Sequence, residues 1–416
     1  MRILILNQAF HPDVVATAHY SAHLAEELAA RGHEVTAVAG LRAYDNPAVS
    51  FPRKETWRKI RVRRIATPGL GKSAKWRRLA DFASFLLGCA WQLLLLGRQD
   101  VVIALTSPPL IGFLAALFVR IKGGQFLYWV MDLNPDQALA AGLLHADDPR
   151  AQFLEDVLRF TLTAASRIVV LDRFMKARIC GRVADPSRVS IIPPWSHASL
   201  ASGAEARREK FRREYNLENK FVVMYAGNHS PCHPLDTLVH AAENLAGDRE
   251  IVFCFVGGGI EHKKIAEQAQ KMGNILCLPY PRPEELADPL FAADLHVAVM
   301  GDAYLGIVHP CKVYNILALG TPLLYIGPEE SHVTDVAASA AASDWFYSAR
   351  HGDVQQVCAH IRQAKKAGRL GIAEEKEAAA AFSQRLLLME LVTEIEGLGA
   401  AEPVPGAPPL SAAQSE

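Results

Sequence analysis

The feature that most constrains the fold of this chain is an alternation of short apolar runs with helix-like segments. The first run, Arg2–Asn7, is almost continuously apolar, which is typical of a parallel strand buried on both faces of its sheet. A helical pattern over Thr17–Arg31 follows, Gly32 ends it, and Glu34–Ala39 predicts a second strand. This βαβ unit predicts a mostly parallel sheet with right-handed crossovers.

The same alternation continues to about residue 195 and then starts again. The first series predicts strands at Val101–Thr106, Phe126–Met131, Arg167–Leu171 and Val189–Ile192, with helices at Leu110–Ile121 and Ala151–Ala165. The second predicts strands at Phe221–Ala226, Ile251–Val256, Asn274–Leu278, Leu295–Met300 and Pro322–Ile326, with helices at Leu235–Leu245, Ile260–Met272, Glu284–Ala292 and Lys312–Leu319. Two such series predict an α/β protein of two Rossmann-like domains with parallel sheets facing a cleft.

Length and composition support this division. A chain of 416 residues is too long for one ordinary core, and its hydrophobic content of 50% supplies enough apolar surface for two. We predict an N-terminal domain over 1–195 and a second domain over 196–373, joined near Pro193–Pro194. Residues 374–398 predict a C-terminal helix that packs back on the first domain, and the Ala-, Pro- and Ser-rich segment 399–416 predicts a disordered tail.

Charge and cysteine content exclude several classes of protein. Lys and Arg together number 44, as do Asp and Glu, so we predict no nucleic-acid partner. The seven cysteines contain no C-x-x-C pair, which argues against a disulfide framework and favours a reducing compartment. The N-terminus leads directly into a strand without the features of a signal peptide, so a cytoplasmic location is expected.

A basic stretch with two tryptophans precedes an apolar helix-like segment. Eleven basic residues and one acid lie within Arg53–Arg78, and Leu79–Gly97 follows directly. A helix over Phe82–Gly97 would reach roughly 24 Å, short of a hydrocarbon core of about 30 Å, so no transmembrane helix is predicted. Arg53–Gly97 therefore predicts contact with an anionic membrane surface. The alternative is a core helix preceded by a solvated basic loop.

The segment Gly306–Thr321 carries the most specific polar pattern. Pro310 stands where a helix would begin, and Lys312 lies in its first turn. A lysine is disfavoured there because its charge opposes the helix dipole, unless an anion such as a diphosphate lies between them. The alternative is a surface lysine. His309 is a candidate second donor to the same ligand, and Asn315 a candidate contact to one of its hydroxyls.

Other donor-site candidates lie just beyond predicted strands of the second series. The carboxyl ends of parallel strands are where open α/β sheets bind ligands. This places Asn228, His229 and His233 among the candidates, together with the backbone at Gly258 and Gly259, where a helix opening after the strand would offer N–H groups to a phosphate. A glycine cluster at such a turn is, however, more often structural.

The same argument applies to the first series. Asp132 and Asp136 follow a strand and are candidates for holding a sugar hydroxyl or accepting its proton, with a helix N-cap as the alternative for Asp136. The loop after the first strand contributes Asp13 and Thr17 as acceptor-binding candidates. No metal is predicted, because the His and Cys residues lack ligand spacing.

Five stretches occur in an order that is more specific than any one of them. They are HPDVVATAHYSAHLAEELAARGHEV, DVVIALTSPPLIGFLAALF with YWVMDLNPDQALAAGLL, YAGNHSPCHPLDTLVHAA, FVGGGIEHKKI and GIVHPCKVYNILALGTPLLYIG. Through them, about residues 1–395 resemble the family 4 retaining glycosyltransferases of the two-Rossmann-domain (GT-B) type. The resemblance is greatest to the bacterial group that builds O-antigen, capsule and exopolysaccharide, including the N-acetyl-fucosamine and colanic-acid fucosyl transferases.

The resemblance implies a hexosyl or N-acetylhexosaminyl transferase that retains the anomeric configuration. The donor, a nucleotide-sugar with UDP favoured, would bind the second domain, and a polyprenyl-diphosphate-linked glycan would enter from the first. Similar enzymes need no metal or cofactor, so Lys312 and the Gly258 turn would stabilise the departing diphosphate. The match also puts Asp132 near the reacting sugar. We expect the protein to lie on the inner face of the cytoplasmic membrane.

The chain also departs from the family pattern. Two glutamates that many members carry align with Ile307 and Asn315, and a common Arg and Lys are replaced by Asn228 and the loop Cys232–His233. The sugar therefore stays open. Two other functions also stay open. One is a nucleotide-sugar 2-epimerase, which would not need Arg53–Gly97. The other is a catalytically silent subunit that docks another transferase on the membrane.

Overall fold

The computed structural model describes residues 1–44, 46–70, 75–196, 203–282, 285, 287–339, 345–368 and 380–400. The segment that follows the predicted junction at Pro193–Pro194 and the predicted helix 374–398 fall partly outside these ranges. The helix is described from Gln384 to Ala400, and the rest of the predicted tail 399–416 lies outside the described residues.

The first domain is built on one large sheet. Its strands are β1 Arg2–Leu6, β2 Glu34–Gly40, β3 Lys54–Trp57, β4 Ile60–Ile65, β5 Val101–Ala104, β6 Gln125–Trp129, β7 Arg167–Val170 and β8 Val189–Ile191. Its helices are α1 Ala16–Ala30, α2 Lys75–Leu95, α3 Ile111–Lys122, α4 Asn134–Ala140, α5 Pro149–Ala164 and α6 Arg173–Cys180. The eight strands are ordered β3-β4-β2-β1-β5-β6-β7-β8, and all neighbours are parallel except β3 and β4.

The second domain has a sheet of six parallel strands. These are β9 Phe221–Asn228, β10 Ile251–Gly258, β11 Ile275–Leu278, β12 Leu295–Val299, β13 Leu323–Ile326 and β14 Phe346–Ala349. Its helices are α7 Ala204–Glu214, α8 Asp236–Asn244, α9 His262–Ala269, α10 Asp288–Ala292, α11 Lys312–Leu319, α12 His332–Ser339 and α13 Val354–Ala367. The strand order is β11-β10-β9-β12-β13-β14, so the order reverses between β9 and β12.

Burial explains why the inner strands read as continuous apolar runs. All four residues of β5 are fully buried, because helices cover both faces of the parallel sheet. The same holds for β12 at the centre of the second sheet. The predicted α/β architecture of two parallel-sheet domains is confirmed.

Part of the basic stretch forms strands rather than a solvated loop. Residues 54–57 and 60–65 form a hairpin, β3–β4, which extends the first sheet at its edge. Within it the Arg64 side chain is fully buried and pairs with Glu55 at 2.5 Å while it donates to the backbone carbonyl of His11. The sequence did not predict strand β4, because three of its six residues are arginines and only three are apolar. Among the described residues, no helix has the length and apolarity needed to cross a membrane.

The C-terminal helix α14, Gln384–Ala400, returns to the first domain. Arg31 and Arg167 of that domain form ion pairs with Glu396 and Glu394, at 3.2 and 2.8 Å. The buried Leu391 belongs to the same apolar core as β1.

Candidate active site

A cavity of about 160 Å³ opens at the carboxyl edge of the second sheet, where the strand order reverses between β9 and β12. This is where open α/β sheets bind their ligands. Its lining comes from strand ends, from α10 and α11, and from the segment after β11: Ala226, Gly227, Val256, Tyr280, Pro281, Pro289, Leu290, His296, Val297, Lys312, Asn315 and Ile316.

Lys312 begins α11 and places its ammonium group inside this cavity. The Nζ atom is buried, has no hydrogen-bond partner among the described residues, and lies 3.6 Å from the centre of the Tyr225 ring. Burial lowers the pKa of Lys312 to about 7. The amine is thus held without a counter-charge, and an anion that enters the cavity would supply one.

Two histidines lie near this lysine. His229 is fully buried, and neither of its ring nitrogens has a partner among the described residues. Burial, with His262 and Lys312 nearby, lowers its pKa to about 4. His233 donates its Nδ1–H to the Val299 carbonyl, 2.8 Å away, and burial lowers its pKa to about 3. Both imidazoles are therefore neutral near pH 7, so Lys312 supplies the positive charge of the three.

His309 does not join this group. Its Nδ1 lies 2.7 Å from the carboxylate of Asp172, and its Nε2 lies 2.8 Å from the hydroxyl of Tyr314. Both ring nitrogens are engaged within the protein, in a seam between the domains. The prediction that His309 donates to the donor's phosphates is corrected, because its partners come from the fold.

The other predicted donor residues surround the cavity. Asn315 lines it one turn beyond Lys312, and Asn228 is exposed at the end of β9. Gly258 pairs with Asn228 in the sheet. Gly259 has a φ of +132°, and a Cβ there would meet the backbone of His229, so a side chain is excluded. The expected helix start at these glycines is wrong, because α9 begins only at His262.

Asp132 lies on the opposite side of the cleft, just after β6. Burial raises its pKa to about 6, and its carboxylate forms no hydrogen bond or ion pair with any described residue. Asp132 also lies close to the second domain. The pKa of the Cys311 thiol, in the residue before Lys312, is raised mainly by burial and next by the negative charge of Asp132. The backbone N–H of Leu133 donates to Ile307 at 3.0 Å, which brings the two sides together. The structure thus brings Asp132 to the start of α11.

The remaining acceptor candidates are engaged elsewhere. Asp136 is buried within α4 rather than at its N-cap, and it pairs with Arg182 at 3.0 Å and with Arg178 at 3.4 Å. Asp13 is buried and accepts the backbone N–H groups of Val14 and Tyr44. These carboxylates hold the scaffold, which corrects their assignment to an acceptor. Thr17 is half-buried in the first turn of α1.

Two aromatic residues of the site were missed from the sequence. Tyr225 lies inside β9 and forms the surface under Lys312, but in the sequence it is one apolar residue of a buried strand. Tyr280 follows β11, lines the cavity and is 44% exposed. A large aromatic residue just past a predicted strand end was the signal available in the sequence for Tyr280.

These features define a two-domain α/β protein with a ligand cavity in its second domain, and solved structures identify the fold as GT-B. Sucrose-phosphate synthase of Thermosynechococcus elongatus superposes with a TM-score of 0.73 at 16% identity, covering 97% of this chain and 100% of that one. HepE of Anabaena in complex with UDP-glucose superposes with a TM-score of 0.69 at 13% identity, covering 95% of this chain and 100% of that one.

Sequence comparison refines this class. Residues 16–195 match the family described as "Glycosyl transferase 4-like domain". WcaI of Escherichia coli (strain K12), named as a colanic acid biosynthesis glycosyl transferase, is 25% identical over 334 residues, 77% of this chain and 82% of WcaI. WbjE of Pseudomonas aeruginosa, named as a glycosyltransferase, is 24% identical over 246 residues, 57% of this chain and 60% of WbjE. The first domain thus resembles the glycosyl transferase 4-like domain, and the resemblance of the chain to glycosyltransferases is confirmed at that level.

Proposed function

We propose that the protein is a retaining glycosyltransferase that moves a sugar from a nucleotide diphosphate donor to a lipid-linked glycan in polysaccharide synthesis. The observation that carries this proposal is the buried ammonium of Lys312, which has no partner among the described residues and projects into the cavity of a GT-B donor-side domain. Retention and independence from metal follow from the family resemblance. The names of WcaI and WbjE support the polysaccharide context.

The cavity suits a nucleoside diphosphate. Its walls are largely apolar, and the exposed ring of Tyr280 offers a face on which a base can stack. Asn315 lies where its amide can meet a ribose hydroxyl, and Lys312 lies at the inner end for the phosphates. HepE, with the same fold, is solved with UDP-glucose, which supports UDP as the nucleotide.

The reaction breaks the bond between the sugar's anomeric carbon and the β-phosphate oxygen. Negative charge then develops on the departing diphosphate, and a protonated Lys312 would stabilise it without a metal ion. A hydroxyl of the acceptor forms the new bond to that carbon and gives its proton to the departing diphosphate or to ionised Asp132. Asp132, across the cleft with a raised pKa, would orient that hydroxyl or the sugar.

A direct test is calorimetric titration of the full chain with UDP, GDP, ADP and NAD. Binding of one nucleoside diphosphate that is lost in Lys312→Met, but kept in the exposed control Lys264→Met, supports the donor site. If UDP binds, incubation with a UDP-sugar and no acceptor separates the functions, because only a 2-epimerase would release an epimer. Absence of binding to all four would favour the silent docking subunit.

The membrane-facing part of the proposal rests on α2. Its outer side exposes a stripe of large apolar residues, each at least 62% exposed: Trp76, Leu79, Leu87, Trp91, Leu94 and Leu95. Ile121, 68% exposed at the end of the adjacent α3, extends it. Such a stripe on a helix too short to span a bilayer suits insertion at the interface of an anionic membrane.

Co-sedimentation with vesicles of anionic phospholipid tests this surface. The double substitution Leu87→Glu and Trp91→Glu should leave most of the protein in the supernatant, because charges would enter the apolar layer. Leu386→Glu, an exposed position on α14, is the control and should sediment like the wild type. Equal sedimentation of all three proteins would remove α2 as the contact.

A further inference from the structure

A second polar cluster, separate from the sugar-transfer site, lies where the two domains meet. Asp172, His309 and His332 are all buried, and one donor atom from each lies within 4.8 Å of the others. Within the described residues, no other group of three His, Cys, Asp or Glu side chains is arranged in this way. Asp172 follows β7 of the first domain, whereas both histidines belong to the second.

The donor atoms converge on one side of the Asp172 carboxylate. Its Oδ2 lies 2.7 Å from His309 Nδ1 and 4.0 Å from His332 Nδ1, and the two imidazoles stack with ring centres 3.8 Å apart. A zinc ion bound at about 2.0–2.2 Å from each donor holds its ligands roughly 3.3 Å apart, so small side-chain shifts would admit it.

The surroundings of the cluster favour a metal as well. His309 Nε2 lies 2.8 Å from the Tyr314 hydroxyl, which matches the outer hydrogen bond that orients a metal-bound histidine. His332 is 3% exposed, and its Nε2 has no hydrogen-bond partner among the described residues. The hydrogen bond to Asp172 therefore accounts for His309, and a backbone hydrogen bond at Pro310 engages His332, whose Nε2 is the one ring nitrogen of the pair left unsatisfied among the described residues.

The position of the cluster ties any bound ion to the contact between the two domains. Next to Asp172, Arg173 pairs with Asp335 of α12 at 2.7 Å. The Phe174 backbone packs so tightly on Gly306 that a Cβ at Gly306 would come within 2.7 Å of it. An ion bound in this seam would join ligands from both domains.

We propose that Asp172, His309 and His332 form a zinc site between the domains, and that the bound ion clamps the cleft closed. Two imidazoles and a carboxylate suit Zn²⁺, whereas Mg²⁺ prefers oxygen ligands. The clamp slows turnover because product release from a GT-B cleft needs the domains to open. The site takes no part in the transfer chemistry, so it stands or falls independently of the proposed function.

The test is equilibrium dialysis of the chelator-treated full chain against Zn²⁺, with Mg²⁺ in parallel. The wild type should bind one Zn²⁺ and no Mg²⁺ at this site. Asp172→Asn, which keeps the cap of α6, and His332→Asn should each lose affinity by more than about 100-fold. Tyr314→Phe should lose about tenfold. The exposed His240→Asn is the control and should bind like the wild type. Circular dichroism in chelator verifies that each variant is folded.

Two results would overturn the site. One is the absence of Zn²⁺ binding by the folded wild type. The other is unchanged binding in both Asp172→Asn and His332→Asn, with binding lost instead in Cys277→Ser, whose thiol lies 3.5 Å from His262. Small-angle scattering tests the clamp itself: Zn²⁺ should lower the radius of gyration of the wild type but not of His332→Asn. Equal radii with and without bound Zn²⁺ would refute the clamp.

Discussion

The candidate site residues at the strand ends of the two domains differ in whether their buried polar atoms have partners. In the second domain, Lys312 Nζ and both nitrogens of His229 are buried without partners among the described residues. In the first, Asp136 is held by Arg182, and Asp13 is held by backbone N–H groups. A buried polar group is costly unless it is satisfied, so groups left unsatisfied mark the place of a ligand. Satisfied groups belong to the scaffold.

Lys312→Met tests the unsatisfied side of this contrast and should have the largest effect. We expect kcat to fall by at least about 100-fold, as when one transition-state donor is removed. Stability should rise, because the folded state lowers the pKa of Lys312 to about 7 from 10.5 and thus disfavours the protonated form that the unfolded chain carries at pH 7. Urea unfolding at pH 7 should show a gain of up to about 4 kcal/mol.

Lys264→Met is the matched control, because Lys264 is exposed and paired with Asp236 at 2.7 Å. Lys264→Met should change neither kcat nor the free energy of unfolding by much. A Lys312→Met enzyme with near-wild-type turnover, or one that is less stable than the wild type, would make Lys312 a scaffold residue.

Asp136→Asn tests the satisfied side. Removing this carboxylate leaves Arg182 half-buried with Glu155 as its remaining carboxylate partner, so the free energy of unfolding should fall by about 2–3 kcal/mol. The KM for the acceptor should stay unchanged. Asp248→Asn, at the surface ion pair with Lys365, should cost less than about 1 kcal/mol. A raised KM without loss of stability would return Asp136 to the acceptor site.

Asp132 is the exception within the first domain, and its pH profile can show this. Burial raises its pKa to about 6, so the ionised form accumulates as the pH rises through 6, and kcat/KM should rise with it. Asp132→Asn should lose this acidic limb and turn over about tenfold more slowly at pH 8. If kcat/KM of Asp132→Asn still rose as the pH passed through 6, another group would be responsible for the acidic limb.

The smallest expected effect is a pH dependence of UDP binding. An anion favours protonated Lys312, so binding should take up a proton and weaken above pH 7, by about fivefold between pH 7 and 8. His229 and His233 are neutral over this range and should not contribute. Calorimetry in two buffers of different ionisation enthalpy measures the proton uptake. If UDP binding to Lys312→Met showed the same pH dependence, Lys312 would not be the group that takes up the proton.

Much of the fold was readable because each buried strand and amphipathic helix has its own period. The predicted helix Lys312–Leu319 is found with the same ends, bounded by Pro310 and Gly320. The hairpin β3–β4 was missed, because an edge strand with one exposed face can carry arginines that hide its pattern. The helix α6 was missed as well, since its eight residues are too few for a clear helical period and three of them are basic.

The site was readable only in part. That Lys312 lies at a helix start beside a sheet edge follows from local patterns along the chain. Whether a polar side chain is free to meet a ligand depends on partners from distant segments, which no local pattern records. Thus His309 is turned toward Asp172, 137 residues earlier, and away from the donor.

The sequence by itself determined two parallel-sheet domains and the strand ends at which polar groups collect, because backbone periodicity and helix punctuation are local. Only the tertiary structure decided which of those groups are neutralised and which stay buried without a partner. It also brought Asp172, His309 and His332 together with no ligand spacing in the chain. The physical reason is that hydrogen bonding and desolvation act between atoms in space, whatever their separation in the sequence.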